Sequence, residues 1–167
     1  VTRISELIDV PLTGADGFDS GIPVLDDWLR DASATMVRAN LGRTFVWRDA
    51  TGKVVAYYHL TPHEVCQEGI PSRDRFSAKH RPVPGFLLAK LALDKTLHGQ
   101  RLGSALLYDA LTRVATAAEQ VGGRLVVVDA INDHAAGFYR AHGFKDVRAD
   151  HPDRPQRLFR PIADLLG

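Results

Sequence analysis

Leu91-Ala-Leu-Asp-Lys-Thr-Leu-His-Gly-Gln-Arg-Leu-Gly-Ser-Ala-Leu-Leu107 carries an apolar strand into a short polar turn and directly on into a helix. The strand ends the near-continuous apolar run Phe86 to Leu93, and helical spacing continues from Leu102 to Val121. Such a turn presents backbone N–H groups. The first ones of a helix have no internal partner and sit at the positive end of its dipole, so a phosphate docks there favourably. Gly99 and Gly103 permit close backbone approach. Taken alone, a glycine-bearing turn of this kind is commonly just a strand-to-helix connection. The Gly-x-Gly-x-x-Gly dinucleotide fingerprint and the phosphate loop of nucleoside triphosphatases are both absent, which removes the two commonest nucleotide-binding alternatives.

Outward from this segment the pattern stays that of an α/β chain. Leu102, Leu106, Ala110, Leu111, Val114, Ala118 and Val121 form one apolar stripe, and Gly122-Gly123 ends the helix before a strand at Leu125 to Val128. A strand, a crossover helix and a second strand predict a parallel pair. Asn132 then caps a short helix through His142, Asp133 suits its positive end, and Gly143 stops it before strands at Phe144 to Val147 and Leu158 to Ile162. Upstream, Val24, Leu25, Trp28, Leu29, Ala32 and Met36 recur at helical spacing, with Ser20 and Pro23 near the start and Gly42 beyond the end. Phe45 to Arg48 and Val54 to Leu60 flank Asp49-Ala-Thr-Gly52 as a hairpin. Pro62 to Pro84 reads as a loop within a single domain spanning residues 1–167.

Composition agrees with one globular core: 167 residues, 45% hydrophobic and 25% charged. No run approaches the length of a membrane span and the N-terminus lacks a secretory pattern, so a cytoplasmic protein without membrane contact is expected. Cys66 is the one cysteine, which excludes an internal disulfide and a cysteine-rich zinc site. His59 and His63 flank Thr61-Pro62 and cannot share a helix face, so no metal is expected and all seven histidines read as surface or phosphate-adjacent. Ser104 and Cys66 lack a nucleophile-elbow context. Asp94 and Glu64 read as strand-end or loop charges exposed to water.

The net charge of +1 hides an uneven distribution. Asp16, Asp19, Asp26, Asp27 and Asp31 surround a lone Arg30. Arg73, Arg75, Lys79 and Arg81 form a basic stretch, joined in the tail by Arg148, Arg154 and Arg157.

Asn132-Asp-His-Ala-Ala-Gly-Phe-Tyr-Arg-Ala-His-Gly-Phe144, together with the Leu91 to Ser104 segment, resembles the GNAT N-acetyltransferase family. Ala135, Phe138, Tyr139, Gly143 and Phe144 match the family's helix ending. In the turn, His98 replaces the usual Gln or Arg and Arg101 replaces the first glycine, while Gly103 is retained. Phe18-Asp-Ser-Gly-Ile-Pro-Val-Leu-Asp-Asp-Trp-Leu29 and Arg43-Thr-Phe-Val46 narrow the likeness to GNAT toxins of bacterial toxin–antitoxin systems, which usually carry Cys at the place of Ser20.

The resemblance implies a mixed central sheet with flanking helices, whose splayed parallel strands form an acyl-CoA cleft. It implies that Leu91, Ala92 and Leu93 offer backbone groups to the pantetheine arm. His98, Gly99, Gln100, Arg101, Leu102, Gly103 and Ser104 would hold the pyrophosphate, with Asn132, Ala135 and Phe138 reaching the arm from the other strand. Tyr139 would be the general acid that protonates the departing thiolate. The co-substrate would be acetyl-CoA, the acceptor the α-amino group of aminoacyl-tRNA, and the outcome a block of translation. A ribbon-helix-helix antitoxin and a homodimer are the implied partners, and the basic residues an electrostatic track for tRNA. Two alternatives stand beside this: the same chemistry on a small-molecule or protein amine, and a CoA-binding regulatory module without turnover.

Overall fold

The computed structural model describes residues 4–148 and 156–167, and the chain divides into two compact units, residues 1–61 with 89–110 and residues 62–88 with 111–167. Two strands, β3 (Val54–Val65) and β4 (Val83–Leu93), and the helix α3 (Leu102–Val121) each run through both units.

In the first unit β1 (Glu6–Leu7) pairs antiparallel with β2 (Arg43–Arg48), and β2 with β3, placing Phe45 opposite Tyr58. The β2–β3 turn is held by Asp49, whose carboxylate accepts from the Thr51 and Lys53 amides at 2.9 and 3.1 Å. The expected single first helix is two: α1 (Pro23–Asp31) and α2 (Ser33–Arg38). The break falls at Ala32, whose φ of −119° is stretched well away from the regular helical value, while the Ser33 hydroxyl bonds back to the Leu29 carbonyl at 2.5 Å. Ile22 takes the cap position with Pro23 at the first helical turn, and Ser20 donates through both its amide and its hydroxyl to Asp26 Oδ1. Leu25 and Leu29 on α1 pack against Val46, Val54, Tyr57 and Ala92. Full burial of a leucine such as Leu29 contributes about 1.5–3 kcal/mol.

In the second unit β4 and β5 (Leu125–Ala130) run parallel from Gly85↔Leu125 to Leu88↔Val128, and β4 continues five residues beyond that ladder to Leu93. Gly85 is required there, since a Cβ would stand 2.3 Å from the Leu125 carbonyl oxygen. β5 pairs on its other side with β7 (Gln156–Pro161), and β7 with β6 (Lys145–Asp146), both antiparallel. Leu125 to Val128 are all buried, as befits a strand covered on both faces. Val65, Val83, Leu125, Val127 and Phe159 make one core cluster. Helix α4 (Asp133–Ala141) follows β5, and α5 (Ala163–Leu166) closes the described chain. Strand neighbours follow the order β1-β2-β3-β4-β5-β7-β6, the mixed α/β sheet that the resemblance implied.

The stretch Pro62 to Pro84 is less irregular than expected. β3 runs on through Pro62 to Val65, because the fixed φ of proline suits extended backbone, and β4 begins at Val83. Among the described residues no helix is long and apolar enough to cross a membrane.

Candidate functional site

In the first unit, the pleat of β4 sends alternate side chains to opposite faces. Ala92 lies in the core, and Lys90 on the same face stands over the Trp28 ring, 5.4 Å from its centroid. Leu91 and Leu93 take the other face and are half-buried. The Leu93 carbonyl accepts from His98 Nε2 at 2.8 Å, so the imidazole folds back over the strand end.

Asp94 organises the turn that follows. Its Oδ1 accepts from the Thr96 amide and hydroxyl at 3.0 and 2.7 Å, and its Oδ2 from the Asp19 amide at 3.1 Å, with Lys53 Nζ 3.7 Å away. At 1% exposure it is not the water-exposed charge expected of it, because the carboxylate tucks back to cap the 3-10 turn Lys95–Leu97. Burial pushes its pKa up, but the hydrogen bonds from Thr96 and Asp19 and the nearby Lys53 outweigh that and hold it below the ordinary carboxylate value.

Beyond it, Gly99 and Arg101 are both left-handed, at φ +78° and +59°. Arg101 thus adopts the conformation of the glycine that the resemblance places there, at a cost of about 1–2 kcal/mol for an L residue. His98, Gly99, Gln100 and Arg101 are exposed, and Leu102, Gly103 and Ser104 half-buried, as α3 begins.

In the second unit, Asn132 caps α4 as expected, its Oδ1 accepting from the Ala135 amide at 2.8 Å. One turn further on, Phe138 and Phe144 meet the Tyr139 ring edge-on at 5.4 and 5.5 Å. Tyr139 is 8% exposed, and burial raises its pKa, so the phenol keeps its proton at any physiological pH. Among the described residues no hydrogen bond is made to that hydroxyl. A tyrosine buried only for packing normally finds such a partner.

The basic stretch is built around a residue that sequence reasoning passed over. Gln67 is 0% exposed, donates through Nε2 to the Phe76 and Arg81 carbonyls at 2.7 and 2.8 Å, and accepts from the Phe76 amide at 2.7 Å. It thereby fixes the loop bearing Arg73, Arg75, Lys79 and Arg81. Arg148 is brought to the same loop, its amide donating to the Gly69 carbonyl at 3.0 Å. Arg73 pairs with Asp74 at 3.5 Å, and Lys145 approaches the same carboxylate at 3.3 Å. Arg154 lies outside the described residues. Arg157 is not a loose cation: its Nε and Nη2 grip the Asp129 carboxylate at 2.8 and 2.9 Å, and its Nη1 donates to His63 Nε2 at 3.1 Å.

The acidic group around α1 is also partly internal. Asp26 is buried against Ser20, Asp19 pairs with Lys95 at 2.6 Å, and Asp27 with Arg30 at 3.1 Å. His59, expected at the surface, is buried at 1% exposure. Val54 to His59 is a strand stretch covered on both faces, and its Nδ1 meets the Thr44 hydroxyl at 2.8 Å. No cluster of three or more His, Cys, Asp or Glu suited to a metal occurs among the described residues. A hollow of about 770 Å³ in the first unit lies beside Glu6, Asp9 and Lys53, and none of the candidate residues lines it. Arg48 in its wall already bonds Glu6, Asp9 and the Thr13 and Gly52 carbonyls.

The model of an acetyltransferase (GNAT) domain matches residues 40–146. A tRNA-acetylating toxin of Mycobacterium tuberculosis is 40% identical over 166 residues, which is 99% of this chain and 95% of the toxin. Among solved structures, a tyrosine-to-phenylalanine mutant of KacT gives a TM-score of 0.87 at 23% identity, over 99% of this chain and 98% of that one. AtaT complexed with acetyl-methionyl-tRNAfMet gives 0.85 at 23% identity, over 97% and 96%. At that identity the two structures speak for the fold.

Proposed function

The chain belongs to the GNAT acetyltransferase family, and on that premise we propose that it is an acetyl-CoA-dependent toxin that acetylates the α-amino group of aminoacyl-tRNA and so blocks translation. The observation that carries the reading is the 40% identity to a tRNA-acetylating toxin along essentially the whole chain. It acts as a single acetyltransferase domain over residues 1–167, in the cytoplasm.

The residues present suit the carrier. β4 from residue 89 to 93 extends past its parallel ladder, so its backbone is available to the amides of a pantetheine arm. His98 to Ser104 combine two left-handed residues with the start of a twenty-residue helix, a geometry that turns backbone N–H groups toward a pyrophosphate. Arg101, exposed at that turn, adds a cation. Asn132, Ala135 and Phe138 serve the arm from the first turns of α4. Bound acetyl-CoA supplies an acetyl group activated as a thioester.

Tyr139 acts as general acid. Its burial keeps the proton on the phenol oxygen, and the hydroxyl has no competing partner among the described residues. As the amine nitrogen bonds the acetyl carbon and the carbon–sulfur bond breaks, that proton goes to sulfur, and the proton that the acylated nitrogen sheds passes through water to restore the phenol. An α-amino group titrates at about 7.7–8.0, so a fraction is unprotonated at neutral pH and no strong base is required.

Arg73, Arg75, Lys79, Arg81 and Arg148, gathered on one loop and its neighbour, form the track for tRNA phosphates. The exposed carboxylates around α1, Asp16, Asp27 and Asp31, offer a surface for a basic segment of a ribbon-helix-helix antitoxin, and the toxin resemblance implies a homodimer.

The test is transfer of labelled acetate from acetyl-CoA to a purified aminoacyl-tRNA pool, with free thiol measured alongside. Label on the ester-linked amino acid together with thiol release supports the reading. Transfer to small-molecule or protein amines alone overturns the substrate, and carrier binding without thiol release under any acceptor overturns the enzyme.

A further inference from the structure

His63, Asp129 and Arg157 form a polar trio in the second unit that the proposed mechanism does not use. Along each strand they lie one step of the pleat beyond the apolar cluster: His63 precedes Val65 by two residues, Arg157 precedes Phe159, and Asp129 follows Val127. Asp129 and Arg157 are direct cross-strand partners, and Asp129 is the first β5 residue past the last parallel pair with β4.

The hydrogen-bond directions determine the state of the imidazole. Arginine only donates, so His63 Nε2, 3.1 Å from Arg157 Nη1, must present its lone pair. The ring is therefore neutral and carries its proton on Nδ1, the less common tautomer. Burial first, and then the Arg157 charge, hold its pKa below the ordinary histidine value, against the opposing pull of Asp129 and Glu64. Among the described residues nothing takes the Nδ1 proton, and the side chain is only half-buried. With one nitrogen engaged and the other protonated, this histidine has no lone pair with which to act as a base. It has one fixed, uncharged donor. Asp129 cancels the Arg157 charge through two parallel bonds, so the site favours a neutral oxygen over a phosphate.

We propose that His63 is a positioning residue for the acyl acceptor, its Nδ1–H donating to a carbonyl oxygen of that acceptor, with Arg157 and Asp129 acting through it by fixing the tautomer. In the reading above, on which this rests, the oxygen is the ester carbonyl of aminoacyl-tRNA.

Two measurements test it. In the free wild-type protein, nitrogen-15 NMR of labelled histidine reads the tautomer: a proton on Nδ1 is expected, and a proton on Nε2 overturns the assignment. In steady-state kinetics, His63→Gln keeps an acceptor for Arg157 but removes the donor, whereas His63→Asn places an amide where Nδ1 stood. His63→Gln should raise the KM for aminoacyl-tRNA about ten-fold, the loss of one hydrogen bond, with the KM for acetyl-CoA unchanged. His63→Asn should stay within about three-fold of wild type on the same hydrogen-bond argument. Equal acceptor KM values for both variants and the wild type overturn the role and leave the proposed function standing. Absence of transfer by the wild type to any aminoacyl-tRNA overturns the function and this role with it.

Discussion

Acidification should weaken the fold through His59 in particular. The imidazole is 1% exposed, meets the Thr44 hydroxyl through Nδ1 at 2.8 Å, and packs edge-on to Trp28 at 4.8 Å. Among the described residues its Nε2 has no partner, and it faces Gly42, where even a Cβ would come within 2.4 Å. Burial, with Lys90 nearby, lowers its pKa from 6.5 to about 4. Between those two values the unfolded chain holds a proton on this side chain that the folded chain does not. Stability therefore rises with pH across that window and is lost as pH falls through it. From about pH 7.5 the loss amounts to about 2 kcal/mol by about pH 5 and about 3 kcal/mol by about pH 4, on the order of a third of a typical domain's stability. Urea unfolding of the wild type and His59→Asn at a series of pH values reads it. The variant is less stable throughout but should lack this slope, because carboxylate contributions are common to both proteins and cancel in the difference. Parallel curves for the two proteins would rule out His59 as the source of the slope.

Tyr139→Phe should lower kcat by about a hundred-fold or more while acetyl-CoA binding, measured by calorimetry, stays within about two-fold, since general acid catalysis contributes on that scale; growth arrest on expression should disappear with it. Gln67→Leu strands the Phe76 amide and the Phe76 and Arg81 carbonyls, each costing about 1–3 kcal/mol if left buried. The loop should open locally, read as faster hydrogen exchange at Phe76 and a several-fold higher KM for aminoacyl-tRNA without a change for acetyl-CoA. Arg101→Gly removes the left-handed penalty and should raise stability by up to about 1 kcal/mol, seen in the unfolding midpoint, while weakening acetyl-CoA binding through loss of the cation.

Local chemistry was legible where it acts within one element. The apolar stripe of α3 predicts Leu102 to Val121 and the helix has those bounds, and the Asn132 cap forms as its side chain dictates. Breaks were harder to read. Ala32 carries no breaker signal, yet the chain turns there, and Pro62, a usual terminator, lies inside β3. β1 is two residues long and shows no alternation that a pattern could reveal. His59 ends a run of six buried residues, where a strand covered on both faces loses the period of two that would separate inside from outside. At the site, the glycine turn and Tyr139 stand in recognisable local motifs. Asp94 bonds Thr96 two residues on but also the distant Asp19 amide, Gln67 bonds Phe76 and Arg81 across its own loop, and the His63, Arg157 and Asp129 trio meets only through the sheet, so none of them shows as a motif. The last depends on β7 lying beside β5, a pairing between segments about thirty residues apart that no local pattern encodes.

In this mechanism one buried phenol completes acetyl transfer onto an esterified amino acid. The decisive experiment is mass spectrometry of the 3′-terminal aminoacyl-adenosine, released from tRNA after incubation with acetyl-CoA and either wild type or Tyr139→Phe. An acetylated aminoacyl-adenosine from the wild type and an unmodified one from the variant is the predicted result. An unmodified product from both proteins, or equal acetylation by both, would contradict it.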